Sequence, residues 1–295
     1  MGSPKFIWRS ALLGVGALLC VSSLAHHTSL RILAVEMSLP VILLVAGNGA
    51  ITDLEERRPA SSQMAPLIAI VGCDGSGKST LAGDMSALLN ERRPTQVCYL
   101  GLGSGEIGNR IKRWPLIGPA LEHHLARKAA QTRTRDARIP GLLTAMVVFG
   151  FSILRLRRFR HVLALRRHGI TVITDRYPQI EVPGFYDGPG LSAARAGSRP
   201  VAWLAERERR MYIWMASFRP DIIIRLNVDA ATAFARKPDH KFELLRAKVE
   251  VTPLLRFNGA RIIELDARER YEDVREKSLE SVRALVARPL GQARP

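Results

Sequence analysis

The sequence predicts an α/β fold, a mostly parallel sheet with helices on both faces, on three observations. From residue 67 onward short β-branched runs alternate with longer stretches of helical periodicity, the alternation that builds right-handed strand–helix–strand units. The first such run passes directly into an unbroken phosphate-loop pattern, and that loop opens into the first helix. The composition, 47% hydrophobic and 24% charged, is that of a folded chain and excludes disorder and low complexity.

The 295 residues exceed one domain of roughly 200–250 residues, so a domain at 64–295 is expected to carry an appendage at 1–63. The appendage has Lys5 and Arg9, then an apolar run over 10–25 that ends in small residues, then a second apolar stretch over 32–51 broken by Glu36 and Pro40. Basic start, apolar middle and small residues form a signal-like layout, and either stretch approaches the roughly 20 residues of a membrane span. Basic residues stay inside, so a membrane-associated hairpin contacting the bilayer through residues 10–51 would sit on the cytoplasmic face. The rival reading is a mis-assigned start, because Met64 stands immediately before the first strand. The protein is placed in the cytoplasm under both.

Candidate strands are residues 67–71, 96–100, 171–174, 221–227 and 261–265, and candidate helices are 78–93, 121–138, 142–168, 201–218, 230–235, 242–250 and 271–287. The apolar run 141–154 is too short for a span and reads as a buried helix. The arginines of 155–160 read as its solvated face. A Gly-, Pro-, Ser- and Ala-rich stretch over 183–200 reads as a mobile loop covering substrate or as a passive linker.

Cys20, Cys73 and Cys98 build neither a disulfide framework nor a CxxC or Cys/His metal site. The 44 Lys+Arg against 27 Asp+Glu leave +17, which calls for anionic partners without choosing among them. Nucleic acid is the weakest choice, since aromatic residues are 6% and no stacking platform interleaves with the basic runs.

Chemistry concentrates in three places. Gly72-Cys73-Asp74-Gly75-Ser76-Gly77-Lys78-Ser79, followed by Thr80, fits G-x-x-x-x-G-K-[ST]. Glycines let backbone N–H groups converge on phosphate oxygens, and the helix N-terminus adds positive potential. Lys78 reaches the β- and γ-phosphates of ATP, and the Ser79 hydroxyl ligates Mg²⁺. Asp74, inside the loop, is expected to face the acceptor and orient its hydroxyl. Asp175 and Arg176 follow the apolar strand 171–174, where strand ends line a ligand crevice. Asp175 is placed to hold Mg²⁺ or its water, and Arg176 to clamp a phosphate in two-pronged fashion. The third place is the cationic run 236–241, led by Arg236, which either closes over transferring phosphates or is a solvated charge run.

With these residues in hand, the chain from about 67 to 286 resembles the thymidylate kinase-like branch of P-loop kinases. The carrying features are the phosphate loop with Asp74, the strand-end Asp175-Arg176-Tyr177, and residues 220–229 ahead of the cationic run. The resemblance implies a five-stranded parallel sheet, ATP with Mg²⁺, and γ-phosphoryl transfer. It assigns Lys78 and Ser79 to ATP–Mg²⁺, Asp74 and Arg176 to the acceptor, Arg236 to a lid, and dimers as a common state. The departures fall on the acceptor side. Tyr99-Leu-Gly-Leu-Gly stands where the family carries an Arg-Glu-Pro type segment, Pro178-Gln179-Ile180-Glu181 replaces the Ser and Tyr-Gln expected near the base, and an Arg- and Lys-rich insertion fills 103–140. The expected activity is therefore an ATP-dependent kinase with dTMP as the default acceptor. A sugar or cell-envelope metabolite is the rival acceptor, and an ATPase switch on anionic polymers or a membrane scaffold is the rival class.

Overall fold

In the computed structural model the described residues are 64–101, 141–184 and 186–287. The expected appendage at 1–63, the expected helix at 121–138 and the basic insertion at 103–140 lie outside them. Five strands, β1 (Leu67–Gly72), β2 (Thr95–Tyr99), β3 (Thr171–Asp175), β4 (Ile222–Asn227) and β5 (Ile262–Asp266), form one parallel sheet in the order β2-β3-β1-β4-β5. The helices are α1 (Lys78–Asn90), α2 (Leu142–Arg167), α3 (Arg199–Ala216), α4 (Ala230–Arg236), α5 (Phe242–Val251) and α6 (Tyr271–Ala287). The five predicted strands and the described helices stand within two residues of their expected ends, except that α1 stops at Asn90, three residues before its expected end. No described helix is long and apolar enough to cross a membrane.

The central strands read as near-continuous apolar runs because both faces are covered. Ile68, Ile70, Ile222 and Ile224 are buried, and α1 lays Leu81, Ala82, Met85 and Leu89 against them. On another side Phe159, Trp214, Phe218 and Tyr177 interlock with ring centroids 4.8–5.9 Å apart. Asp221 seals the start of the sheet, accepting from the Leu67 N–H at 2.8 Å and from Arg166 at 3.2 Å.

Two expectations are corrected in part. Of the arginines of 155–160, Arg157 is exposed and Arg158 and Arg160 are half-buried, but Arg155 is 1% exposed, as Arg166 further along is 2% exposed. Val148, Ser152, Arg155, Phe159, Val162 and Arg166 form the inward stripe of α2, spaced three and four apart as helix geometry requires. Nor is 183–200 a uniformly loose cover. Gly188, Pro189, Gly190 and Leu191 are buried, and the Leu191 N–H donates to the buried carboxylate of Glu208 at 2.7 Å. Among its described residues only Pro183 and the last third, from Arg195, are exposed.

Candidate functional site

The phosphate loop leaves β1 where the ladder sets it beside the end of β3. Ile70 pairs with Asp175 in register, and the Arg176 N–H donates to the Ile70 carbonyl at 3.0 Å. Gly72 has φ +153°, and a Cβ there would lie 2.6 Å from both the Leu226 carbonyl oxygen and Ser76 Oγ. Gly75 has φ +88°, with the Ala233 carbonyl oxygen 2.6 Å from where its Cβ would be. Neither position accepts a side chain. Gly77, also at φ +88°, caps α1, so Lys78, Ser79 and Thr80 occupy its first turn.

Lys78 is buried and its ammonium donates to the Cys73 carbonyl at 2.5 Å. Burial, reinforced by the charge of Arg176, pushes its pKa down to about 8. Ser79 Oγ donates to Asp175 Oδ2 at 2.5 Å. The second carboxylate oxygen, Asp175 Oδ1, and the hydroxyl of Ser76 are buried without a partner. Orphaned buried oxygens are costly, and here they mark where a ligand belongs. An alcohol and a carboxylate with a free oxygen fit Mg²⁺, which takes one or two protein oxygens and fills its octahedron with water and phosphate. No group of three or more His, Cys, Asp or Glu side chains fit to hold a metal exists among the described residues, and this site needs none.

Asp74 anchors the other pole. Its Oδ1 pairs with Arg176, its Oδ2 with Lys248 of α5, and His240 Nε2 stands 3.9 Å away. Burial works to raise its pKa, but Arg176, Lys248 and Lys78 together hold it well below the usual carboxylate range. Arg176 adopts φ +74°, a conformation uncommon for a side chain of its size; the cost is offset by ion pairs to Asp74 and, at 3.5 Å, to Asp187 Oδ2. Asp187 Oδ1 pairs with the buried Arg155 at 2.7 Å, and Arg155 also donates to the Tyr212 hydroxyl at 3.1 Å. Arg155, Asp187, Arg176, Asp74 and Lys248 thus form one chain of alternating charge. It borders a recess lined by Gly72, Tyr186, Thr252, Leu255 and Phe257.

The predicted residues therefore divide. Lys78, Ser79 and Asp175 come together at one pole; Asp74 and Arg176 meet at the other. Arg236 stands apart from both clusters. Its guanidinium donates to the Ala267 carbonyl at 3.0 Å and to the Gly75 carbonyl of the phosphate loop at 3.4 Å. Tyr177 serves the core: it is 2% exposed and its hydroxyl donates to the Phe218 carbonyl. Burial pushes the Cys73 thiol up, as suits an inert filler. Sequence reasoning missed Lys248, Asp187 and Arg155. Lys248 carried a faint signal, three residues beyond the buried Leu245 on the same helix face.

A strand, a phosphate loop with left-handed glycines, a helix and a carboxylate at the end of the neighbouring strand define a P-loop protein of kinase-like fold. No family model matches the chain. It is 46% identical over 222 residues to the uncharacterized ATP-binding protein YghS of Escherichia coli K12, across 75% of this chain and 94% of the relative. It is 44% identical over 230 residues to the uncharacterized ATP-binding protein YghR of the same strain, across 78% and 91%. A probable thymidylate kinase of Pyrobaculum aerophilum is 29% identical over 227 residues, 75% of this chain and 97% of that protein. The chain belongs to the same P-loop kinase-like family as YghS and YghR.

Proposed function

We propose that the protein is an ATP-dependent phosphotransferase that moves the γ-phosphoryl group of ATP to a small acceptor. The observation that carries this reading is Asp74, a carboxylate built into the phosphate loop and gripped by Arg176 from the end of β3 and Lys248 from α5. A loop that only held nucleotide would have no use for a second charged pole. Lys78 and the N–H groups at the start of α1 bind the ATP phosphates. Ser79 and Asp175 would hold Mg²⁺, which would supply charge neutralisation for the phosphates. Asp74 orients the acceptor, and Arg176 beside it meets charge that develops on the transferred group.

The description of YghS and YghR as ATP-binding supports the donor. Thymidylate is a second reading for the acceptor, resting on the archaeal relative named a probable thymidylate kinase. The test is ADP release under saturating Mg-ATP across nucleoside monophosphates, nucleosides and sugars. Release only with an acceptor, abolished by Lys78→Ala, is expected. Acceptor-independent turnover stimulated by DNA or RNA would sink the phosphotransferase reading, and absence of dTDP from dTMP would remove thymidylate.

A further inference from the structure

We infer that Asp187 determines the acceptor class: its carboxylate takes the place of an acceptor phosphate between Arg155 and Arg176, so the site receives a free hydroxyl instead of a phosphomonoester. The inference rests on the phosphotransferase reading and narrows it.

Asp187 Oδ1 is 2.7 Å from Arg155 Nη2, its backbone oxygen accepts from Arg155 Nη1 at 2.9 Å, and Oδ2 is 3.5 Å from Arg176 Nη1. Two guanidiniums on one carboxylate reproduce the arrangement by which arginines recognise phosphate. Arg155, at 1% exposed, directs both of its Nη groups to partners inside the protein. Arg176 and Lys248 share Asp74, so three cations already face two carboxylates. A dianionic phosphomonoester entering the recess would meet both carboxylates at close range, and like charges in a partly buried site disfavour each other strongly. A hydroxyl meets the same carboxylates as hydrogen-bond acceptors.

Asp187 is held as a fixture. Gln179, 1% exposed, donates to the Val182 and Tyr186 carbonyls at 2.5 and 2.8 Å, and the Gln179 N–H donates to the Asp187 carbonyl at 3.2 Å. Asp187 itself sits at φ +61°, where Asp and Asn are the best tolerated residues after glycine.

In the reaction the acceptor hydroxyl oxygen forms a bond to the γ-phosphorus. The bond from phosphorus to the β–γ bridging oxygen breaks, and ADP leaves with that electron pair. The Asp74 carboxylate accepts the hydrogen bond of the attacking hydroxyl and orients it, and the proton is lost to solvent as the new bond forms.

The first test needs no acceptor. With a non-hydrolysable ATP analogue and Mg²⁺ filling the phosphate loop, inorganic phosphate is titrated by calorimetry against the full chain. Asp187→Asn, which keeps the left-handed turn but removes the charge, is expected to bind phosphate at least tenfold more tightly than wild type. If Asp187→Asn folds poorly with Arg155 left unpaired, Arg155→Met with Asp187→Asn removes that buried charge, and the gain persists through Arg176. Equal phosphate affinity in wild type and the variants overturns the inference. The second test compares ADP release with paired acceptors, nucleosides against their 5′-monophosphates and hexoses against hexose phosphates, which separates nucleoside from sugar chemistry. The unphosphorylated member of a pair is expected to win by at least tenfold in kcat/KM, and Asp187→Asn to shrink that ratio. A wild-type preference for the phosphorylated member overturns this inference while leaving phosphoryl transfer intact. If no acceptor raises ADP release, the phosphotransferase reading fails, and the phosphate titration still decides the role of Asp187.

Discussion

The two poles of the phosphate loop lie a few residues apart in sequence and differ in what they leave unsatisfied. At the nucleotide pole Ser76 Oγ and Asp175 Oδ1 are buried without partners, and Lys78 settles for a loop carbonyl. At the acceptor pole the charged heads of Arg155, Asp187, Arg176, Asp74 and Lys248 each already have a counter-ion. One pole is open; the other has its charges paired internally, and under the proposed function it would select against a charged acceptor.

The comparison is broken most severely from its closed side. Arg155→Ala leaves Asp187 half-paired beside a buried cavity, and breaking a buried ion pair costs about 3–5 kcal/mol; a urea midpoint lowered without a change in slope would show it. Lys78→Ala removes the charge at the open pole, with an expected loss of about 10²–10³-fold in phosphoryl transfer and no comparable fall in the midpoint. Asp175→Asn keeps the fold and the Ser79 contact but weakens the cation site. A rate loss of about 10²-fold, partly recovered at high Mg²⁺, is expected in a metal titration. Lys248→Met removes one of the two cations on Asp74 and costs about tenfold in kcat/KM for the acceptor, with the KM for ATP unchanged. A shift in the KM for ATP would mean that the two poles are not separate.

The gentlest probe is pH. The Lys78 pKa of about 8 lies below the lysine value of an unfolded chain, so the unfolded state holds more protons between pH 8 and about 10.5. The contribution of Lys78 to stability therefore rises across that window as pH increases. Nucleotide phosphates restore its charge, so ATP binding should take up a proton above pH 8 and weaken by up to about tenfold per pH unit. Calorimetry in buffers of different ionisation enthalpy measures that proton; none taken up at pH 9 would refute the burial of an uncompensated Lys78.

The open pole was legible in the sequence because the phosphate loop is contiguous and Asp175 sits at a recognisable strand end. Gly72 to Thr80 carry their own geometry in glycine φ angles, and Asp175 announces itself at the end of the β-branched run 171–174. The closed pole was only half legible. Asp74 and Arg176 adjoin motifs, but Lys248 is 174 residues from Asp74, and Asp187 is one carboxylate in a Gly- and Pro-rich stretch. Arg155 was misread for a definite reason: a run of arginines suggests solvent, yet the three-and-four spacing from Val148 to Arg166 turns Arg155 inward. Periodicity should have outweighed charge there, because a guanidinium is buried readily once a carboxylate meets it.

By itself the sequence determined the α/β class, the five strands and the phosphate loop. Each follows from local periodicity or from the backbone freedom of a few glycines, and neither needs a distant partner. Tertiary structure alone decided which cations face which carboxylates, because that depends on the β2-β3-β1-β4-β5 order and on α2 and α5 converging on the end of β3. Coulomb interactions become decisive only at ion-pair distance in a partly dry site, and the folded chain alone sets those distances.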